Sequence, residues 1–129
     1  INLHWGYDNR TTGLRVPDAA PNNFRVENRF PGADVNPYLA IAATLACGYL
    51  GMKHEVKPSD AYEGNAYDED INVPRTLEEA LRGLHEDQDI ISLFGEKFIQ
   101  LYTSIKLVEF EEFNRVISSW EREHLLLNV

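Results

Sequence analysis

Asn9-Arg10-Thr11-Thr12-Gly13-Leu14-Arg15-Val16-Pro17 and then Phe24-Arg25-Val26-Glu27-Asn28-Arg29-Phe30-Pro31-Gly32 are the stretches that decide the fold class. The first reads as a strand over Gly13–Val16, closed by Pro17, which has no N–H to offer a ladder. Pro21-Asn22-Asn23 reads as a turn. In the second stretch Phe24, Val26 and Phe30 fall on one face and Arg25, Glu27 and Arg29 on the other, with Asn28 interrupting the apolar side. Two such strands with a short Pro/Asn connection predict an antiparallel pair, one face apolar and one charged.

Outward from the pair the chain turns helical. Asn36 is a capping residue, and Pro37 suits a first helical position, where its missing N–H would have no partner anyway. From Tyr38 the segment is apolar nearly all round, which predicts a helix covered by other structure. Small residues Ala40, Ala42, Ala43, Ala46 and Gly48 would let neighbouring backbones come close, and Cys47 reads as packing within that helix. A polar loop rich in Asp, Glu and Tyr over 55–75 follows, and is expected to be solvated or to form a subunit contact. Thr76-Leu77-Glu78-Glu79 opens a second helix as a capping box, with Leu77, Ala80, Leu81 and Leu84 at helical spacing. Gly95 interrupts after Phe94. A long helix follows, with Phe98, Leu101, Tyr102, Ile105 and Val108 as its apolar stripe, until Ser118 and Glu121 form another box. The expected architecture is α+β: strands about 10–30, then helices about 36–53, 76–87, 96–117 and 119–126.

Composition narrows the function classes. The 129 residues hold 12 Lys and Arg against 21 Asp and Glu, a net charge of -9. An acidic surface repels phosphate-rich partners, which argues against a general nucleic-acid or membrane-surface binder. The longest apolar run, Tyr38 to Met52, is interrupted by Thr44, Gly48 and Gly51 and is shorter than the roughly 18–20 residues of a spanning helix. Cys47 has no second cysteine to pair with, so nothing requires an oxidising compartment. No basic-then-apolar leader opens the chain, and it begins with Ile1 inside a loop-like Trp-Gly-Tyr stretch, which reads as a piece of a longer protein.

The charge is unevenly spread. Residues 1–30 carry Arg10, Arg15, Arg25 and Arg29 against Asp8, Asp18 and Glu27, while the remainder carries 8 basic and 18 acidic residues. All four of those cations are Arg, whose planar fork suits carboxylates and phosphates. Two readings of Arg25-Glu27-Arg29 stand at this point. It is an ion-pair ladder on a solvated sheet face, or it is a site for a hard divalent cation and phosphate, with carboxylate for the metal and guanidinium for phosphoryl oxygens. His4, His54, His85 and His124 are not spaced like a metal cluster, and no P-loop is present.

The blocks Asn9-Arg10…Arg15-Val16-Pro17, Arg25-Val26-Glu27-Asn28-Arg29 and Asn36-Pro37-Tyr38-Leu39, in that order, resemble the glutamine synthetase family. Pro74-Arg75-Thr76-Leu77, Phe94-Gly95 and Trp120-Glu121 look like the helices that end its catalytic domain. The resemblance covers essentially the whole chain and only the C-terminal part of that domain. Pro31-Gly32-Ala33-Asp34 and the Leu125–Val129 terminus look more like the branch that joins glutamate to amines, the glutamate–putrescine type of ligase.

The resemblance implies an ATP-dependent ligase using Mg²⁺ or Mn²⁺, which phosphorylates the side-chain carboxylate of glutamate and condenses it with ammonia or an amine. It assigns Glu27 as a metal ligand. Arg10 and Arg29 match catalytic residues that hold the transferring phosphoryl and the substrate carboxylate. Arg15 and Arg25 match residues near the nucleotide phosphates. It further implies a cytoplasmic homo-oligomer of two stacked rings, a dodecamer, without nucleic-acid or membrane partners. The remaining metal ligands and the flap carboxylate of the family lie earlier than this chain begins, so the isolated piece is expected to be inactive. Rival readings are a guanidino phosphotransferase and a non-enzymatic structural or regulatory member of the same fold.

Overall fold

The computed structural model describes residues 2–126. They fall into two compact units that divide between Arg75 and Thr76.

In the first unit, β1 (Trp5–Tyr7), β2 (Leu14–Val16) and β3 (Glu27–Asn28) form one sheet in that order. The expected antiparallel pair is β2 with β3, where Leu14 faces Asn28 and Arg15 faces Glu27. A strand that the sequence reading took for a loop, β1, lies parallel on the other side, with Trp5 facing Leu14 and Tyr7 facing Val16. A parallel return normally takes a long crossover. Here six residues suffice because the strands are three residues long and Asp8 turns the chain at φ 48°. Asp8 N–H still reaches the Val16 carbonyl at 2.8 Å. Arg10 therefore sits in the turn between β1 and β2, not on a strand as expected.

The second predicted strand is shorter than its alternation suggested. Only Glu27 and Asn28 pair, and Phe24 and Val26 are exposed rather than anchored on an apolar face. A 3-10 turn at Pro21–Asn23 delivers the chain to Phe24 in extended conformation, but among the described residues no neighbouring strand pairs with Phe24–Val26. Phe30 does turn inward, onto Gly13.

The core of this unit is small and partly polar: Val16, Ala66, Asn2 and Thr12 are all buried. What closes it is the segment expected to be a solvated loop. Trp5 Nε1 donates to Ser59 O at 2.8 Å, and Tyr62 N–H donates to Trp5 O at 2.7 Å. Asn2 Nδ2 donates to Ala66 O at 2.9 Å, and Ala66 N–H returns a bond to Thr11 Oγ1 at 2.9 Å. Buried polar groups persist only when paired, and these bonds pair them while strapping residues 59–66 across the β1–β2 turn.

Helix α1 (Pro37–Lys53) starts as predicted, with Asn36 Oδ1 accepting from Tyr38 N–H and Leu39 N–H. Asn28 Nδ2 on β3 donates to Thr44 Oγ1 of α1 at 2.9 Å. The expectation of a covered helix is not met among the described residues. Tyr38, Ile41, Leu45, Tyr49 and Met52 are exposed, and so is Cys47, which packs against nothing that would bury it.

In the second unit α2 (Leu77–Glu86), α3 (Gln88–Phe94) and α4 (Glu96–Asn114) pack on one another, and α5 (Ser119–His124) follows. Thr76 Oγ1 accepts from Glu79 N–H at 3.1 Å, the predicted start of α2. Helix α3 was missed by the sequence reading. Asp87 both ends α2 and caps α3, accepting from Ile90 N–H at 3.0 Å, and Gly95 at φ 86° separates α3 from α4. The stripe expected to be the core face of α4 is largely exposed at Leu101, Ile105 and Val108. The buried face is instead Ile99 with Thr103, one turn apart, alongside Leu81 of α2. Two short helices, α2 and α3, cover one narrow face of α4, and with the polar Thr103 on it that face does not stand out as hydrophobic. Ser118 and Glu121 form the expected box in full: Ser118 Oγ accepts from Glu121 N–H at 3.1 Å, and Glu121 Oε2 accepts from Ser118 N–H at 2.7 Å. Of the expected C-terminal stretch Leu125–Val129, residues 127–129 lie outside the described ones. Among the described residues no helix is long and apolar enough to cross a membrane.

Candidate functional site

Cross-strand register builds the site. Arg15 and Glu27 are direct partners between β2 and β3, so their side chains leave the sheet on the same face. Arg15 Nη1 donates to Glu27 Oε2 at 2.7 Å, and Arg25 Nη2 donates to Glu27 Oε1 at 3.2 Å. The other terminal nitrogen of Arg15, Nη2, pairs with Asp8 Oδ1. The result is a chain of alternating charge, Asp8–Arg15–Glu27–Arg25. It is not a solvated ladder throughout, because the Arg15 side chain is only 12% exposed and that of Glu27 31%.

The electrostatics follow from those contacts. The Arg15 hydrogen bond holds the Glu27 carboxyl below its ordinary value, against desolvation, with Arg25 adding to the effect. Glu27, and then Asp8, raise Arg15 correspondingly. Glu27 is thus an obligate carboxylate at any physiological pH.

Arg10 and Arg29 stand differently. Among the described residues neither has a side-chain ion pair or hydrogen bond, and both are exposed. The backbone N–H of Arg29 donates to Gly13 O at 2.9 Å, which extends the β2–β3 pairing by one bond. Arg10 lines an open cleft of about 580 Å³ together with Asp8, Asn9 and Tyr62. Its turn is fixed by Asn9, whose Oδ1 accepts from Thr11 N–H at 2.9 Å and whose Nδ2 donates to Gly64 O at 2.9 Å. Of the five residues singled out from sequence, the structure joins Arg15, Arg25 and Glu27 directly and leaves Arg10 and Arg29 with free guanidiniums on flanking segments. Asp8 and Asn9 are not among the five site residues expected from sequence, although Asp8 is one of the three acids available to pair with the Arg cluster and Asn9 belongs to the family motif. The signal for Asp8 was the charge count, since an Arg-rich segment with few acids leaves each acid a partner.

Glu27 suits one coordination position of a hard divalent cation. An ionised carboxylate has about four lone-pair directions, and each of its oxygens accepts one guanidinium bond here. Among the described residues no group of three or more His, Cys, Asp or Glu side chains could hold a metal ion, so Glu27 is a contributor and not a complete site.

The sequence pattern of the family described as glutamine synthetase, catalytic domain, matches residues 1–125. The chain belongs to the glutamine synthetase family. Among its relatives, a glutamate–isopropylamine ligase from a Pseudomonas species is 40% identical over 124 residues, 93% of this chain and 27% of that protein. A gamma-glutamylethanolamide synthetase from Streptomyces coelicolor is 38% identical over 118 residues, 91% of this chain and 25% of the relative. A gamma-glutamylputrescine synthetase from Escherichia coli is 36% identical over 125 residues, 96% of this chain and 26% of the relative. The chain spans about a quarter of the length of these curated relatives. All three names are those of amine-joining members of the glutamine synthetase family, the branch the sequence motifs resemble. Membership of that family sets aside the guanidino phosphotransferase reading.

Proposed function

We propose that this glutamine synthetase-family chain serves as the C-terminal portion of the catalytic domain of an ATP-dependent ligase that joins the side-chain carboxylate of glutamate to ammonia or an amine. The observation that carries this reading is the Arg15–Glu27–Arg25 cluster on the β2–β3 face; Arg10, in the β1–β2 turn, and Arg29, next to β3, are exposed and have no side-chain partner among the described residues. An acidic protein that keeps a half-buried carboxylate between two guanidiniums on one sheet face offers a cation ligand next to anion-binding groups.

In the reaction, a carboxylate oxygen of glutamate attacks the γ-phosphorus of ATP, the bond to the bridging oxygen breaks, and ADP leaves. The amine nitrogen then attacks the acyl carbon of the γ-glutamyl phosphate, loses a proton, and expels inorganic phosphate. Phosphorylation converts a poor leaving group into a good one. Negative charge spreads over the phosphoryl oxygens in the first step, and guanidiniums placed against them stabilise it. Arg10 and Arg29, unencumbered, take the transferring phosphoryl and the substrate carboxylate. Arg25, with donors to spare beyond its bond to Glu27, takes the nucleotide phosphates; Arg15, with both terminal nitrogens engaged, serves the same end of the site by holding Glu27. Glu27 supplies one oxygen ligand to Mg²⁺ or Mn²⁺, which when bound neutralises phosphate charge; the other ligands come from beyond the described residues. The names of the amine-joining relatives support an amine over ammonia as acceptor; a cytoplasmic ring-shaped oligomer is what the family resemblance implies.

The test is ADP release by the intact protein with glutamate and a panel of ammonia, isopropylamine, ethanolamine and putrescine. The expected result is turnover that requires both glutamate and one of these acceptors. Glu27→Gln is expected to lower it by on the order of a hundredfold or more, with the circular dichroism unchanged. Wild-type turnover in that variant, or no ADP release with any acceptor, would overturn the proposal.

A further inference from the structure

We infer that Asp8 is a positioning residue of this site: by taking one terminal nitrogen of Arg15, it keeps Arg15 from closing a two-bonded fork on Glu27 and so leaves the Glu27 carboxylate open to a divalent cation. The inference rests on the ligase reading of Glu27.

Four observations carry it. A guanidinium facing a lone carboxylate tends to bind it through both terminal nitrogens. Arg15 does not: Nη1 goes to Glu27 Oε2 and Nη2 to Asp8 Oδ1. The two Glu27 oxygens are in consequence shared between two different Arg residues, one bond each, with lone pairs remaining on both. Arg15 has little room to rearrange otherwise, since its side chain is 12% exposed and its Nε is buried without a partner. Finally, Asp8 is held where it is by the backbone, at φ 48° with its N–H on Val16 O. The left-handed region admits Gly, Asn and Asp most readily, and of these only Asp brings a carboxylate. A turn there would be satisfied by glycine, which has no carboxylate to offer Arg15.

The experiment uses Mn²⁺ alone as the probe, with free Mn²⁺ read by its electron paramagnetic resonance signal, on the intact protein and three variants. Asp8→Asn removes the charge and still tolerates the left-handed backbone, and Asp8→Gly removes the whole side chain with no backbone penalty. Both are expected to raise the Mn²⁺ dissociation constant by about 10- to 100-fold, the usual effect of losing a residue that orients a metal ligand. Glu27→Gln is the reference for loss of the ligand itself. Wild-type Mn²⁺ affinity in both Asp8 variants, with affinity lost in Glu27→Gln, would overturn the inference and leave the ligase reading standing. Wild-type affinity in Glu27→Gln would overturn the role of Glu27 and the inference with it.

Discussion

Glu27 is asked to stay ionised while it sits between two cations, and that has a measurable consequence for pH. Its carboxyl is held below the ordinary value of 4.5, chiefly by the Arg15 hydrogen bond. A group whose folded value is depressed stabilises the fold above its unfolded value and loses that contribution as pH falls through the folded one. The stability gap between the wild-type chain and Glu27→Gln, measured as the difference in urea midpoints, should therefore be constant from neutral pH down to about 4.5 and shrink below it. Glu121 is depressed too, by its bonds to Ser118, but it is common to both proteins and drops out of the difference. A gap unchanged at acid pH would mean that the Arg15–Glu27 pair is not formed in solution. Gly13 makes a second residue-scale test. A Cβ there would fall within the contact radius of the Asn2 carbonyl oxygen and 2.6 Å from the Phe30 ring, so Gly13→Ala is expected to destabilise the first unit by about 1–3 kcal/mol. Hydrogen exchange of the β2 amides reads this directly, and wild-type protection would show that the Phe30 contact relaxes freely. Residues of this kind were half legible in the sequence. Alternation put Arg25, Glu27 and Arg29 on one face, and the structure keeps Arg25 and Glu27 in contact. The charge count made Asp8 a candidate partner for one of the Arg residues, but not for Arg15 in particular, because that contact depends on a left-handed turn and on a parallel pairing that no periodicity announces.

At the scale of elements, legibility tracked local chemistry. Helix starts marked by side-chain caps were found where expected: Asn36 for α1, Thr76 for α2 and Ser118 for α5. Asp87 works in the same way. It went unread because α2 and α3 abut with a single residue between them, and the sequence pattern runs on through it. Strands were read less well. Three residues of β1 and two of β3 are too short for alternation to define, and the bonds that strap β1 and its turn reach residues more than fifty positions away. The cap at Thr76 can be tested alone. Thr76→Ala removes the acceptor for Glu79 N–H and should cost about 1 kcal/mol of helix stability, seen as faster amide exchange in the first turn of α2. Unchanged exchange there would mean that packing of Leu81, and not the cap, fixes where α2 begins.

For the molecule as a whole, the chain displays more apolar surface than a self-sufficient domain would. Exposed Tyr38, Ile41, Leu45, Tyr49 and Met52 follow the three- and four-residue steps of a single helix face, and α4 leaves Leu101, Ile105 and Val108 uncovered. Isolated exposed hydrophobes are ordinary, but contiguous ones mark surfaces that other structure covers. The sequence signalled this for α1, whose segment lacks a polar side, and not for α4, where mixed polarity hid which face was buried. The same incompleteness holds for chemistry. A hard divalent cation takes six or more oxygen ligands, the described residues offer Glu27 without any cluster of three ligating side chains, and the chain spans about a quarter of its relatives. The 129-residue chain by itself should therefore show no glutamate-dependent ATP turnover, while the α2–α5 helices give a normal helical circular dichroism spectrum. Turnover is measured as ADP release at saturating Mg²⁺ or Mn²⁺ with glutamate and each amine acceptor. Appreciable release from the chain alone would mean that Glu27 and the four Arg suffice for phosphoryl transfer, and that the carboxylates assigned to the rest of the catalytic domain are dispensable.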